Sequence, residues 1–201
     1  MSSPVMLRTP LAAAAVRALR AGQEVLLTGT VFTARDRAHR YLAERPDEDG
    51  FPFDLSGGVI YHCGPIMRKS VAAWEAVSAG PTTSNRMEMY EARVITRYGV
   101  ASILGKGGMG AETAKALSDT GAVYLAAAPG AGPLVAKRIV SVEDVWKLDE
   151  FGEPEAIWKL AVENFPAIVA MDSHGGNVYT AVETRSAKRL QELLARTRAH
   201  Q

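Results

Sequence analysis

The sequence predicts an α/β fold, a single domain built on a mixed sheet. Two observations carry this. Through the middle of the chain, apolar runs alternate with segments of helical composition, and glycines separate them: Val100–Leu104 (VASIL), Glu112–Ser118, then Gly121–Ala128 (GAVYLAAA). A run that is apolar throughout, rather than at every second residue, marks a strand covered on both faces. Toward the C-terminus the pattern changes, and strand-like segments follow one another without helices between them. Parallel strands joined by helices, with a further cluster of strands added, make a mixed sheet.

Taken in order, Thr9-Pro10 reads as a helix start, with Thr as cap and Pro at the first position. Leu11–Arg20 continues that helix and Gly22 stops it, so residues 1–22 are expected to be an N-terminal helical segment. Glu24–Thr33 (EVLLTGTVFT) is strand-like, and Gly29 inside it signals a bulge or a close approach. Ala34–Arg45 reads as a short helix, Pro46–Ser56 as an exposed acidic loop, and Gly58–Cys63 as a strand. Pro65–Val71 reads as a second, basic loop, Ala73–Ala79 as a strand, and Met87–Tyr98 as a helix. Pro129–Pro133 is a turn that starts a short helix, Leu134–Val140. Glu155–Asn164 and Pro166–Asp172 read as two strands, and a Ser173-His-Gly-Gly turn leads to a third at Asn177–Ala181. Residues 183–201 are assigned to a final helix, with Thr184–Ala199 at its centre. No repeat or linker divides the chain, so residues 1–201 are read as one domain.

Across 201 residues, 23 Lys and Arg face 22 Asp and Glu, a net charge of +1. That balance argues against a nucleic-acid or membrane-surface role. No apolar run approaches the ~20 residues of a membrane span. Leu11–Val16 is too short and too soon followed by arginine to be a secretory signal, which points to the cytoplasm. The single cysteine forbids an internal disulfide.

Two glycine-bearing segments carry the candidate chemistry: Gly80-Pro-Thr-Thr-Ser-Asn-Arg86 and Gly105-Lys-Gly-Gly-Met-Gly110. Each leads from a strand into a helix, where free N–H groups and the helix dipole attract anions. Thr82, Thr83 and Ser84 have the side chains of helix caps. Arg86 has the fork that clamps a carboxylate. Lys106 stands between glycines, and Gly105 and Gly107 let a ligand approach the backbone closely. Arg35 follows a strand end and is a second clamp, or else a solvated arginine. Asp36 either buttresses an arginine or caps its helix. His39, one turn after Arg35, either orients its neighbours or is a hydrogen-bonded structural histidine. Lys106 has the alternative of a solvated loop tip. His62 and Cys63 lie in a strand, where at least one points into the core, and His174 belongs to a turn. Neither segment is a phosphate-binding P-loop, and no metal-ligand spacing or G-x-S-x-G element is present.

Six segments, nearly the whole chain in order, resemble the beta region of the iron–sulfur hydro-lyases, class I fumarate hydratase and L(+)-tartrate dehydratase. They are TGTVFTARDRAH (Thr28–His39), GGVIYHCGPIM (Gly57–Met67), GPTTSNRM (Gly80–Met87), GKGGMG (Gly105–Gly110), GAVYLAA (Gly121–Ala127) and EAIWKLAVENFPAIVAMDSHGGNVY (Glu155–Tyr179). The resemblance implies a swivelling β/β/α fold and the reversible addition of water to a small dicarboxylate, fumarate/(S)-malate first and L(+)-tartrate as the alternative. It implies that Thr82 removes the carbon-bound proton, while Arg35, Thr83, Arg86 and Lys106 bind substrate. It also implies a [4Fe-4S] cluster, which needs three or four thiolates. Cys63 alone cannot supply them, so the cluster is expected on a separate alpha subunit, with a heterodimer, a homodimer or a heterotetramer as the open assemblies. The remaining reading is a non-catalytic anion-binding module.

Overall fold

The computed structural model describes residues 3–46, 50–71 and 73–198. Its elements are β1 (Val5–Arg8), α1 (Ala13–Ala18), β2 (Glu24–Thr33), α2 (Asp36–Glu44), β3 (Val59–Tyr61), β4 (Ile66–Lys69) and β5 (Trp74–Ser78). A single 3-10 turn, Ser84–Met87, then enters α3 (Glu88–Tyr98). After it come β6 (Ser102–Gly105), α4 (Ala111–Thr120), β7 (Val123–Ala126), α5 (Gly132–Ala136), β8 (Ile139–Trp146), α6 (Leu148–Phe151), β9 (Ile157–Met171) and α7 (Val178–Arg198).

The main sheet runs β1-β2-β3-β6-β7-β9-β8, and β2 also pairs with β9, so β2, β3, β6, β7 and β9 close into a barrel. Strands β1, β2, β3, β6 and β7 are mutually parallel; β9 runs antiparallel to β2, β7 and β8. The α/β class and the mixed sheet are therefore as expected. Alternation along the strands builds two cores. Val59, Tyr61, Leu104, Val123, Leu125 and Trp158 meet on one side. Ile60, Ile103 and Tyr124 face the other, against Ala38 and Leu42 of α2, Val94 and Ile95 of α3 and Leu117 of α4. A hairpin of β4 and β5 packs separately against α5 and β8.

Several boundaries differ from the sequence expectation. The chain opens with β1, and helix begins only at Ala13. Thr9 does not cap it: its N–H continues the sheet to the Thr28 carbonyl at 3.0 Å, and the cap position falls to Ala12. Gly29 does carry the expected bulge, and a Cβ there would lie 2.3 Å from Thr9 Oγ1. Residues 66–69, read as loop, form β4. Of the loop at 46–56, residues 47–49 lie outside the described residues, and Phe51 and Phe53 anchor the rest among Phe32, Tyr98 and Trp146. Strand β8 begins at Ile139, within the segment expected to end as helix, and it sets the edge of the sheet. The two expected C-terminal strands are one, β9. Asn177–Ala181 is the start of helix rather than a strand, since Asn177 Oδ1 accepts the Tyr179 N–H at 2.9 Å and acts as the cap. Residues 199–201 of the final helix lie outside the described residues. No helix among the described residues is long and apolar enough to cross a membrane.

Candidate active site

Parallel strands open their C-terminal ends on one edge, the usual place for a ligand in such sheets. Arg35 follows β2, His62 follows β3 and Lys106 ends the β6 ladder. The segment from Pro81 to Arg86 lies across these ends. Pro81 bridges Cys63, the Thr82 N–H donates to the His62 carbonyl at 2.7 Å, and Thr83 forms a parallel bridge with Lys106. The Ser84 N–H then donates to the Lys106 carbonyl at 3.0 Å.

Charge joins the remaining groups. Arg35 Nε lies 3.0 Å from Glu155 Oε1 and its Nη2 lies 3.5 Å from Asp36 Oδ2. Arg86 Nη2 pairs with that same Asp36 oxygen. Asp36 is thus the buttress between two arginines; Arg35 holds the cap position of α2, without a side-chain cap bond. The Arg35 side chain is 24% exposed and that of Arg86 50%. Lys106 is half-buried, and among the described residues no acidic group pairs with it. Arg86 lines a depression of about 510 Å³ with Asn85, Met89 and Glu112. Lys106 and Gly107 line a separate, apolar groove of about 690 Å³ with Ala127, Ile168 and Tyr179. The candidate groups therefore share one edge between two depressions rather than one enclosed cavity.

The glycines act differently from one another. A Cβ on Gly105 would lie 2.0 Å from Ser84 Oγ and 3.1 Å from His62 Nδ1, so close packing forbids any side chain. Gly107 instead has φ +75 with open space around it, and needs glycine for its backbone. Gly64 gives room to Arg35, whose Cδ would be 2.6 Å from an added Cβ.

The hydroxyls do not cap helices. The 3-10 turn has Thr83 at its cap position with no side-chain cap bond. Ser84 Oγ is used by the Lys106 N–H at 3.2 Å and the Tyr124 hydroxyl at 2.9 Å. Among the described residues, nothing hydrogen-bonds the Thr82 hydroxyl. The N-terminus of α4 does not await an anion either: Glu88 accepts the Gly110 N–H at 2.7 Å and the Thr113 N–H at 3.1 Å.

One group escaped the sequence reading. Glu91 is fully buried, with His39 and His62, also fully buried, against its carboxylate. The signal was present: Glu91 falls on the buried stripe of α3, in step with Met87, Val94 and Ile95. Burial pushes its carboxyl up, but the two imidazoles outweigh this and hold it well below the ordinary range. His39 is therefore structural in its contacts, and both His62 and Cys63 point into the core. This trio is the grouping of metal-type donors among the described residues, although the sequence has no metal-ligand spacing. Cys63 is inert by the same physics, its thiol pushed by burial to about 12.

The sequence that builds this edge matches a known family. The fumarase C-terminus family covers residues 1–182. The chain belongs to that family. A Methanocaldococcus jannaschii protein provisionally named L(+)-tartrate dehydratase subunit beta is 46% identical over 181 residues, 89% of this chain and 93% of that protein. The L(+)-tartrate dehydratase subunit beta of Escherichia coli K12 is 42% identical over 177 residues, 86% of this chain and 85% of that protein. A Geobacillus stearothermophilus protein provisionally named class I fumarate hydratase is 43% identical over 189 residues. This fumarase-family chain spans 94% of its own length in that match but 36% of the hydratase. Hydro-lyases thus frame the family, and the name subunit beta implies a companion subunit for the proteins that bear it.

Proposed function

We propose that this chain is the beta subunit of a two-chain hydro-lyase that reversibly adds or removes water on a small dicarboxylate. The observation that carries this is the shared edge: Arg35 and Arg86 meet on Asp36, beside a Lys106 that has no acidic partner among the described residues and is bridged to Thr83. Two substrate carboxylates call for cations placed this way. Arg35, Arg86 and Lys106 bind them, Thr83 adds a hydroxyl, and the bare backbone at Gly107, with open space around it, allows close approach. Gly105 instead makes room for Ser84 and His62. Asp36 holds both guanidiniums until a substrate carboxylate takes its place on one. Thr82, whose hydroxyl has no hydrogen bond among the described residues, takes the proton from the carbon beside a carboxylate as its alkoxide. The substrate hydroxyl on the neighbouring carbon departs with the C–O electron pair. That proton and the hydroxide together make the water released, and the alkoxide is restored. The surrounding positive charge stabilises the alkoxide this requires.

The residues present do not fit a [4Fe-4S] cluster. Three or four thiolates are needed, and this chain offers one thiol, enclosed and held protonated. The cluster and the Lewis-acid chemistry are therefore assigned to a companion alpha subunit, and activity to the assembled pair, in the cytoplasm. Fumarate/(S)-malate is the first substrate reading. L(+)-tartrate is the second, favoured by the names of two relatives. One hydroxyl, hence one hydrogen-bond partner, separates them.

The test is anaerobic co-purification with the companion subunit, then assays with malate, fumarate and tartrate. Turnover is expected from the pair, and none from this chain alone, which should be colourless. A brown, active preparation of this chain alone defeats the half-enzyme reading, and an inactive pair leaves the anion-binding module.

A further inference from the structure

Glu91 of α3, His39 of α2 and His62 after β3 are each 0% exposed, so none of them touches substrate. One carboxylate oxygen serves both rings: Glu91 Oε2 lies 2.8 Å from His62 Nε2 and 3.3 Å from His39 Nε2. The rings meet edge to face, 4.8 Å between centroids. His39 Nδ1 lies 3.0 Å from the Arg35 carbonyl oxygen. A carbonyl accepts and so does a carboxylate, so each nitrogen of His39 lies beside an acceptor oxygen. Burial pushes the His62 imidazole down, which suits a neutral ring that donates from Nε2. Asp36 on α2 and Tyr124 on β7 are the other titratable groups whose fields reach the trio.

Each ring is tied to a different part of the candidate site. His39 holds the Arg35 carbonyl through its ring and through its N–H, at 2.8 Å. The His62 carbonyl takes the Thr82 N–H, and the His62 N–H donates to the Leu104 carbonyl at 2.8 Å, one residue before Gly105. The His62 ring packs on Gly105 itself. As mere filling this trio is poor design, because an apolar set of similar volume usually stabilises a core as well or better. What an apolar set lacks is polar contacts that hold the segments carrying both rings to one shared carboxylate.

We propose that Glu91 is a positioning residue, the hub of a buried His39–Glu91–His62 lock that sets where Arg35, Thr82 and Lys106 stand relative to one another. The lock rests on the hydro-lyase reading for the reaction it serves, not for its geometry. Two variants separate positioning from support. Glu91→Met fills the space without polar contacts; Glu91→Gln keeps the shape and a polar head against the two rings. In the assembled enzyme with malate and with tartrate, Glu91→Met lowers kcat about 100-fold, the scale of a misplaced reacting geometry. Its thermal midpoint stays close to wild type, and Glu91→Gln recovers most of the loss. A folded Glu91→Met enzyme with wild-type kcat overturns the proposal.

If Glu91→Met does not fold, 15N NMR of the isolated full chain decides. The backbone amide signals of Arg35, Thr82 and Gly105 move in Glu91→Gln, while those of β8 stay at their wild-type positions. Unmoved signals at Arg35 and Thr82, or a stoichiometric transition metal on the freshly purified chain, overturn the lock. This measurement needs no turnover, so an inactive wild-type pair counts against the hydro-lyase reading while the lock is judged by NMR.

Discussion

Ser84 and Lys106 hold each other twice: the Ser84 N–H donates to the Lys106 carbonyl at 3.0 Å, and the Lys106 N–H donates to Ser84 Oγ at 3.2 Å. The Tyr124 hydroxyl donates to the same Oγ at 2.9 Å. Ser84→Ala strips a buried acceptor from two donors and should cost about 1–3 kcal/mol. Gly105→Ala drives a Cβ against that oxygen and should cost about 1–3 kcal/mol by overpacking. Since Ser84→Ala removes the atom the new Cβ strikes, the double variant should lose less than the sum. Denaturant unfolding of the three variants gives the coupling, and strict additivity would mean that the clash lies elsewhere.

Lys106→Ala tests charge at the edge apart from stability. With no acidic partner among the described residues, removal of this lysine should change the unfolding free energy by no more than about 0.5 kcal/mol. Turnover by the assembled enzyme should nevertheless fall by about 100-fold or more, the usual effect of deleting one preorganised charge. Arg86→Ala should behave differently, because it leaves Asp36 facing the substrate carboxylate with Arg35 as its remaining arginine. Its KM should rise with ionic strength less steeply than that of wild type. Normal kinetics in both variants would remove both residues from the site.

The parallel core of the fold was legible because local pattern dictates it: β3, β6 and β7 lie in apolar runs beside glycines. Barrel closure was not, since pairing of β2 with β9 joins residues over a hundred positions apart. Pro166 misled by reading as a break. It lies between Val162, where pairing with β8 ends, and Ile168, where pairing with β7 begins, and a missing N–H is tolerated in that gap. Arg35 was legible as a cation after a strand end, and Arg86 and Lys106 as cations in the two glycine-bearing segments. The ties that bring them together were not, for Asp36, Ser84 and Glu91 act through partners on other elements. The threonines looked like caps because local chemistry allows it, yet the backbone around Thr82 is held by His62 instead.

Cys63 offers a check on where the cluster resides. Its thiol is buried, and burial pushes it to about 12. The folded chain should therefore resist a thiol-alkylating reagent at neutral and mildly alkaline pH and react promptly once unfolded. Cys63→Ala in the assembled enzyme should retain the full iron content, at a modest loss of stability from the small cavity left behind. Loss of iron in that variant would give this chain a ligand and undo the division of labour between the two subunits.

Asp172 ties the end of β9 to the N-terminal region, and it should leave a pH signature. Its Oδ2 accepts the Ala21 N–H at 2.8 Å, and its Oδ1 accepts the His174 and Gly176 N–H groups, each at 2.8 Å. Burial pushes its carboxyl up, but the three N–H groups outweigh that and leave it lowered from 3.8. A group lowered on folding contributes stability that is complete above its unfolded value and is lost as pH falls through its folded one. Asp172→Asn presents an amide where an N–H needs an acceptor, at a cost of about 1–3 kcal/mol near neutrality. The gap between wild type and variant should then narrow as pH drops below about 4, the ordinary carboxylate value. Chemical unfolding from neutrality into that acid range follows it directly. A gap that stays constant over the whole interval would show that shape, not charge, makes Asp172 hold these strands of chain together.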